Sequence, residues 1–126
     1  HKGYTNPSLM WSVLDSIGVR WRSSKSPLPA WPGYGLARVQ WEGPWTQAGV
    51  PMRARYRYTH WVGAWVRDPK DIGIFDINAI GNGTGWCSLA DWSAVVVPFL
   101  LESCVPRANG GWHLTHAVEI DLAGRS

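Results

Sequence analysis

From Arg55 to Val66 the chain alternates with a period of two. Tyr56, Tyr58, His60, Val62, Ala64 and Val66 share one face, and Arg57, Thr59, Trp61, Gly63 and Trp65 share the other. Successive side chains of a strand point to opposite sides, so this run predicts a long strand. Asp68-Pro69-Lys70-Asp71 then reads as a hairpin turn into a second strand, Ile72 to Ala79, where Ile72, Ile74, Asp76 and Asn78 point one way. A hairpin of this length commits the chain to an antiparallel sheet, and the remaining elements must pack around it.

Those elements are punctuated by their ends. Asn6 caps a first helix, Pro7 suits its first position and Gly18 closes it, with Leu9, Met10, Val13, Leu14 and Ile17 on one face for packing against the sheet. Residues 22–35 read as a polar, Pro- and Gly-rich connector. A strand is expected from Leu36 to Trp41, ending at the turn Glu42-Gly43-Pro44. Gly81-Asn82-Gly83-Thr84-Gly85 makes a turn, after which Ser88 caps a second helix, with Asp91 three residues on. Leu89, Trp92, Val95, Val96, Phe99 and Leu100 form its apolar face, and Pro98 is expected to kink or end it. A last strand runs from Trp112 to Leu122. The expected fold is α+β, an antiparallel sheet of about four strands with packed helices, in one domain of 126 residues.

Composition narrows what such a domain does. Apolar residues make up 45% and charged ones 17%, which excludes a disordered tail or a coiled coil. No apolar run is long enough for a membrane span, and the first residues carry no secretory pattern. The compartment stays open on these grounds, with a cytoplasmic location expected over a secreted one. The net charge of +3 owes much to Arg53, Arg55 and Arg57, which alternate along one strand face and read as a solvated stripe more than as a nucleic-acid contact. Ten tryptophans give a small sheet much apolar area from few residues, and their alternative use is as stacking platforms for sugar rings or bases. Exposure of Trp41, Trp45 and Trp65 separates the two uses. Cys87 and Cys104 form no C-x-x-C pair, lack a His partner at metal spacing, and read as two buried free thiols.

His60 is the centre of the candidate chemistry. An imidazole titrates near neutrality and acts as base and then acid, provided a partner fixes its tautomer and stabilises the imidazolium. Asp76 and Asn78, on one face of the returning strand, are the candidates for that partner across the hairpin. The competing expectation is a buried histidine bonded to a backbone carbonyl. His113 and His116 fall on opposite faces of a regular last strand, so they do not ligate one metal together. No metal or cofactor is expected. Cys87, just before a helix start, is the one thiol in a setting that lowers a pKa, yet nothing in the spacing brings it to His60.

The element order resembles that of papain-like cysteine peptidases, in particular the compact bacterial branch that cleaves double-glycine leader peptides, and related phage proteins. The matching pieces are Thr5 to Gly18, Gly35 to Trp41, Thr59-His60-Trp61-Val62, Phe75-Asp76-Ile77-Asn78 and Ser88 to Trp92. They cover roughly residues 5 to 95, and the tail from Val105 onward has no counterpart. The resemblance implies a peptide or protein substrate, His60 as general base and Asp76 as the group that orients it, with Asn78 as the fallback. It also implies a nucleophilic Cys and a Gln upstream of the position of Thr5. The chain opens on His1 without a Met, so it reads as a papain-like domain truncated at its N-terminus and inactive as it stands, because no acyl-enzyme forms without the thiolate. The alternative expectation is a non-catalytic, Trp-rich binding module or phage structural module in which the tryptophans form a recognition surface.

Overall fold

A computed structural model describes residues 7–25, 30–51, 58–76 and 85–121. The elements are helix α1 (Pro7–Ser16), strands β1 (Arg20–Lys25), β2 (Tyr34–Trp41), β3 (Thr59–Asp68), β4 (Asp71–Phe75) and β5 (Trp86–Ser88), a helix α2, and strand β6 (Trp112–Asp121). Helix α2 is continuous but not uniform: Leu89–Asp91 is α-helical, Trp92–Val96 is π-wound, and Val97–Cys104 is α-helical again. The fold is α+β. Among the described residues its open antiparallel sheet has six strands, in the order β1-β6-β2-β3-β4-β5. Two of them, β1 and β5, were not expected. The segment 20–25 has no apolar alternation, and it is a strand because every residue from Arg20 to Lys25 finds a partner on β6.

The β3–β4 hairpin forms about the turn at Pro69-Lys70, with Ala64 opposite Ile74 and Gly63 opposite Phe75. The alternation read from the sequence holds from Thr59 to Val66; Tyr58 precedes the strand with a left-handed φ of +59°, and Arg55 to Arg57 lie outside the described residues. Val62, Ala64 and Ile74 are buried on one face, together with Ala37 and Val39 of β2. Helix α2 covers that face with Trp92, Val97, Leu100 and Leu101. Ser88 caps it as expected, accepting a hydrogen bond from the Asp91 N–H. Pro98 does not end it. The π-wound turn just ahead reflects a ladder opened by one residue, which accommodates a proline that has no N–H to offer.

Helix α1 lies across the opposite face. Trp11 stacks on Trp21 of β1 at 4.7 Å between centroids and meets Trp61 and His116 edge-on. This corrects the expected apolar face. Leu14 is buried, but Leu9, Val13 and Ile17 are exposed, because the bulk of Trp11 sets which side of the helix docks. Asn6, the expected cap, lies outside the described residues, as do Arg53, Arg55 and Arg57.

Strand β6 contains a β-bulge. Arg38 of β2 pairs with His116, whereas Val39 pairs with Leu114, so Thr115 is the extra residue. Before the bulge Trp112 and Leu114 face α2; after it Ala117 does. His113 and His116 therefore share the α1 side, contrary to their expected opposition. Their partners keep them apart. His113 Nδ1 lies 2.8 Å from Glu42 Oε2, and His116 Nδ1 lies 3.0 Å from Thr115 Oγ1.

Candidate functional site

The register of the hairpin positions the site. With Gly63 opposite Phe75, the next residue, Asp76, falls beside Val62 and one diagonal step from His60 on the α2 face. Across that diagonal His60 Nε2 and Asp76 Oδ2 are 2.9 Å apart. Asp76 is held at both ends. Its N–H donates to the Gly85 carbonyl at 2.9 Å, and Trp92 Nε1–H, the first residue of the π-wound turn, donates to the same Oδ2 at 2.9 Å. Gly85 is required here: its φ is +85°, and a Cβ would come within 2.6 Å of the Phe75 ring.

Asp76 is 1% exposed, and its neighbours decide the protonation pattern of the site. An ionised carboxylate only accepts, so Nε2 of His60 carries its hydrogen and Nδ1 holds the lone pair of the neutral ring. Among the described residues no partner reaches Nδ1. The imidazole lies against Trp41, nearly parallel at 21° and 6.1 Å, and Trp41 stacks in turn on Trp92. Ring and carboxylate are thus locked from two sides, while the histidine side chain keeps 19% of its surface open. This outcome excludes the competing expectation of a histidine bonded to a backbone carbonyl.

A tight turn completes one wall. Trp45, in a single 3-10 turn (Pro44–Thr46), donates its Nε1–H to the Trp41 carbonyl at 2.7 Å and packs on Tyr58 at 4.6 Å. Tyr58 has φ +59°, a left-handed conformation that costs a non-glycine residue about 1–2 kcal/mol. Its carbonyl accepts from the Trp41 N–H at 3.2 Å. The strain therefore sits two residues before His60 and ties the start of β3 to the end of β2. Neither Trp41 nor Trp92 was read from the sequence as part of the site; a Trp on the neighbouring strand or on a distant helix leaves no local signal.

Asn78 lies outside the described residues. Cys87 does not join the dyad. It pairs with Ile74, which pairs with Ala64, so it sits two strands across and four residues along from His60, roughly 10 Å by 13 Å. Burial, then the charges of Asp76 and Asp91, raise its thiol pKa above the ordinary 9.0, the opposite of what a nucleophile needs. Both cysteines are free, but neither is the buried thiol expected: Cys87 is half-buried and Cys104, at the end of α2, is exposed. Because the folded chain holds the Cys87 proton more tightly, its contribution to stability is present below pH 9.0 and is lost as pH rises above that value. Urea titrations from pH 8 to 10.5 are expected to show a steeper alkaline loss for the wild type than for Cys87→Ala. Parallel losses would show that this thiol does not contribute.

Among the described residues no group of three or more His, Cys, Asp and Glu side chains is placed to hold a metal ion, and no helix is long and apolar enough to cross a membrane. No family model matches the chain, and neither does any curated protein or solved structure.

Proposed function

We propose that the chain carries the general-base half of a papain-like cysteine peptidase, with His60 as base and acid and Asp76 as the group that orients it. The observation behind this is the single carboxylate oxygen of Asp76 that accepts from both His60 Nε2 and Trp92 Nε1, leaving the Nδ1 lone pair as the proton acceptor. In such a peptidase Nδ1 takes the proton of a thiol, the thiolate attacks the peptide carbonyl, and the imidazolium returns the proton to the departing amine. A buried carboxylate stabilises the imidazolium between those two steps. Trp92 and Trp41 are positioning residues: one fixes the carboxylate, the other the ring.

The sequence holds two cysteines, and neither reaches Nδ1, so the thiol has to come from outside these residues. The test uses the protein expressed from its complete reading frame, with Cys87 and Cys104 changed to Ser. Iodoacetamide is expected to label one remaining thiol rapidly. Hydrolysis of a peptide amide should fall by at least about 10³-fold in His60→Ala, and by a large factor in Asp76→Asn, which permits the wrong tautomer. Absence of a reactive thiol, or hydrolysis indifferent to His60→Ala, would sink the peptidase assignment.

A further inference from the structure

Helix α1 meets the face of the sheet opposite the dyad through Trp11, which packs on Trp21 of β1, His116 of β6 and Trp61 of β3. Beyond Trp61 that face carries an exposed aromatic group. Tyr34, Trp65 and Trp86 are 37%, 43% and 38% exposed, whereas Trp41 and Trp45, on the dyad side, are buried. The tryptophans therefore divide between the two uses open to them: core on one face, surface on the other.

The register explains how this surface is built. Tyr34 lies opposite Trp65, Trp65 opposite Gly73, and Gly73 opposite Ser88, so one row crosses four strands with a glycine in the middle. Gly73 has no side chain to fill the space between the two indoles, and a cleft of about 410 Å³ opens there, with Tyr34, Trp65, Arg67, Trp86, Cys87 and Ser88 around it. That volume is within the usual range of about 300–1,000 Å³ for small-ligand sites. The walls are braced by neighbours. Tyr34 meets Trp65 edge-on at 6.2 Å, and Phe75 meets Trp86 at 5.5 Å.

The polar equipment of the cleft selects among ligands that stack on aromatic rings. Arg67 lies over Trp65 at 4.9 Å, and its Nη2 donates to Asp71 Oδ1 at 2.9 Å. Its charge is thus already matched, which removes the net cation that a nucleic-acid backbone requires. A proline-rich peptide also docks in aromatic slots, but proline has no N–H, so it offers no donor to the Ser88 hydroxyl that lines the cleft. A sugar ring satisfies every feature. Its C–H face is apolar enough to lie on indole, and its hydroxyls both donate and accept, matching the half-exposed guanidinium of Arg67 and the hydroxyl of Ser88.

We propose that the cleft between Trp65 and Trp86, floored by Gly73 and edged by Arg67, is a binding site for a neutral saccharide. It lies on the other side of the sheet from His60 and does not depend on the assignment of the dyad. The experiment titrates the chain with uncharged tetrasaccharides of glucose and of N-acetylglucosamine while following the indole N–H signals in two-dimensional NMR. Saturable shifts of the Trp65 and Trp86 signals are expected with at least one of them, and the Trp45 and Trp92 signals should stay still. Trp86→Ala is expected to weaken binding about tenfold or more.

Gly73→Val gives a variant that keeps the fold. An added Cβ meets only ordinary contacts, 3.5 Å to Arg67 Nη2 and 3.6 Å to Trp86, and a β-branched residue suits a strand. It should abolish binding while leaving the remaining spectrum in place. No shift at Trp65 and Trp86 with either sugar at 10-fold above about 1 mM would overturn the proposal. So would shifts produced by a proline decapeptide instead of the sugars, which would assign the cleft to peptide.

Discussion

Replacing Asp76 by alanine is expected to cost about 3–5 kcal/mol of folding stability, a large part of the roughly 5–15 kcal/mol a domain of this kind has. The side chain is fully buried and accepts from His60 Nε2 and Trp92 Nε1. Its loss strands two donors and opens a cavity at the end of the hairpin. Asp76→Asn keeps the shape and one acceptor oxygen and should cost less, about 1–2 kcal/mol. Urea unfolding measures both. A double-mutant cycle with His60→Ala separates the pair from the cavity: a coupling of about 1–3 kcal/mol is expected. If Asp76→Ala unfolds within about 1 kcal/mol of the wild type, the carboxylate is not the keystone of the site that its hydrogen bonds suggest.

A larger effect is expected from the smallest substitution available. Gly35 of β2 is buried where β2 meets β6, and a Cβ placed on it would lie 1.8 Å from the Val118 carbonyl oxygen and 2.9 Å from its carbon. Both are backbone atoms, so no rotamer change relieves the clash, and the two neighbouring strands must separate. Contacts between β2 and β6 join the part of the sheet under α1 to the part carrying the hairpin, so the loss cannot stay local. Gly35→Ala is expected to cost more than about 4 kcal/mol and to abolish the dispersed amide NMR spectrum. By contrast, Gly18→Ala meets nothing within 4 Å, and its cost comes only from its positive φ. A folded Gly35→Ala protein with an unchanged spectrum would mean that β2 and β6 do not approach as described.

Much of this was legible in the sequence, and the division has physical causes. The hairpin was readable because alternation and turn are both local, and once its register is set the Asp76–His60 diagonal follows. The Ser88 cap was readable for the same reason. What escaped were properties decided by distant chain. Strand β1 has the polar sequence Arg20-Trp21-Arg22-Ser23-Ser24-Lys25 and exists through its pairing with β6. The docking side of α1 was misread because five aliphatic positions outnumber a single tryptophan in a periodicity count, whereas Trp11 alone brings three aromatic contacts. Trp92 was recognised as apolar, but its N–H on Asp76 depends on a helix phase that the π-wound turn alters.

The bulge at Thr115 has a consequence for how this chain tolerates change. Strand β6 obeys one alternation up to Leu114 and the opposite one from His116 onward, so its two halves are joined by a one-residue phase shift. Point substitutions on either side are judged one at a time by their own surroundings. A single-residue insertion or deletion is judged by the whole downstream half at once, since it would exchange the sides of Ala117 and Val118 and turn His116 toward the helix that covers the dyad. Descendants of this protein are therefore free to drift in composition along β6 while its length stays fixed, and the spacing from Trp112 to Val118 is a more durable mark of ancestry than any residue within it.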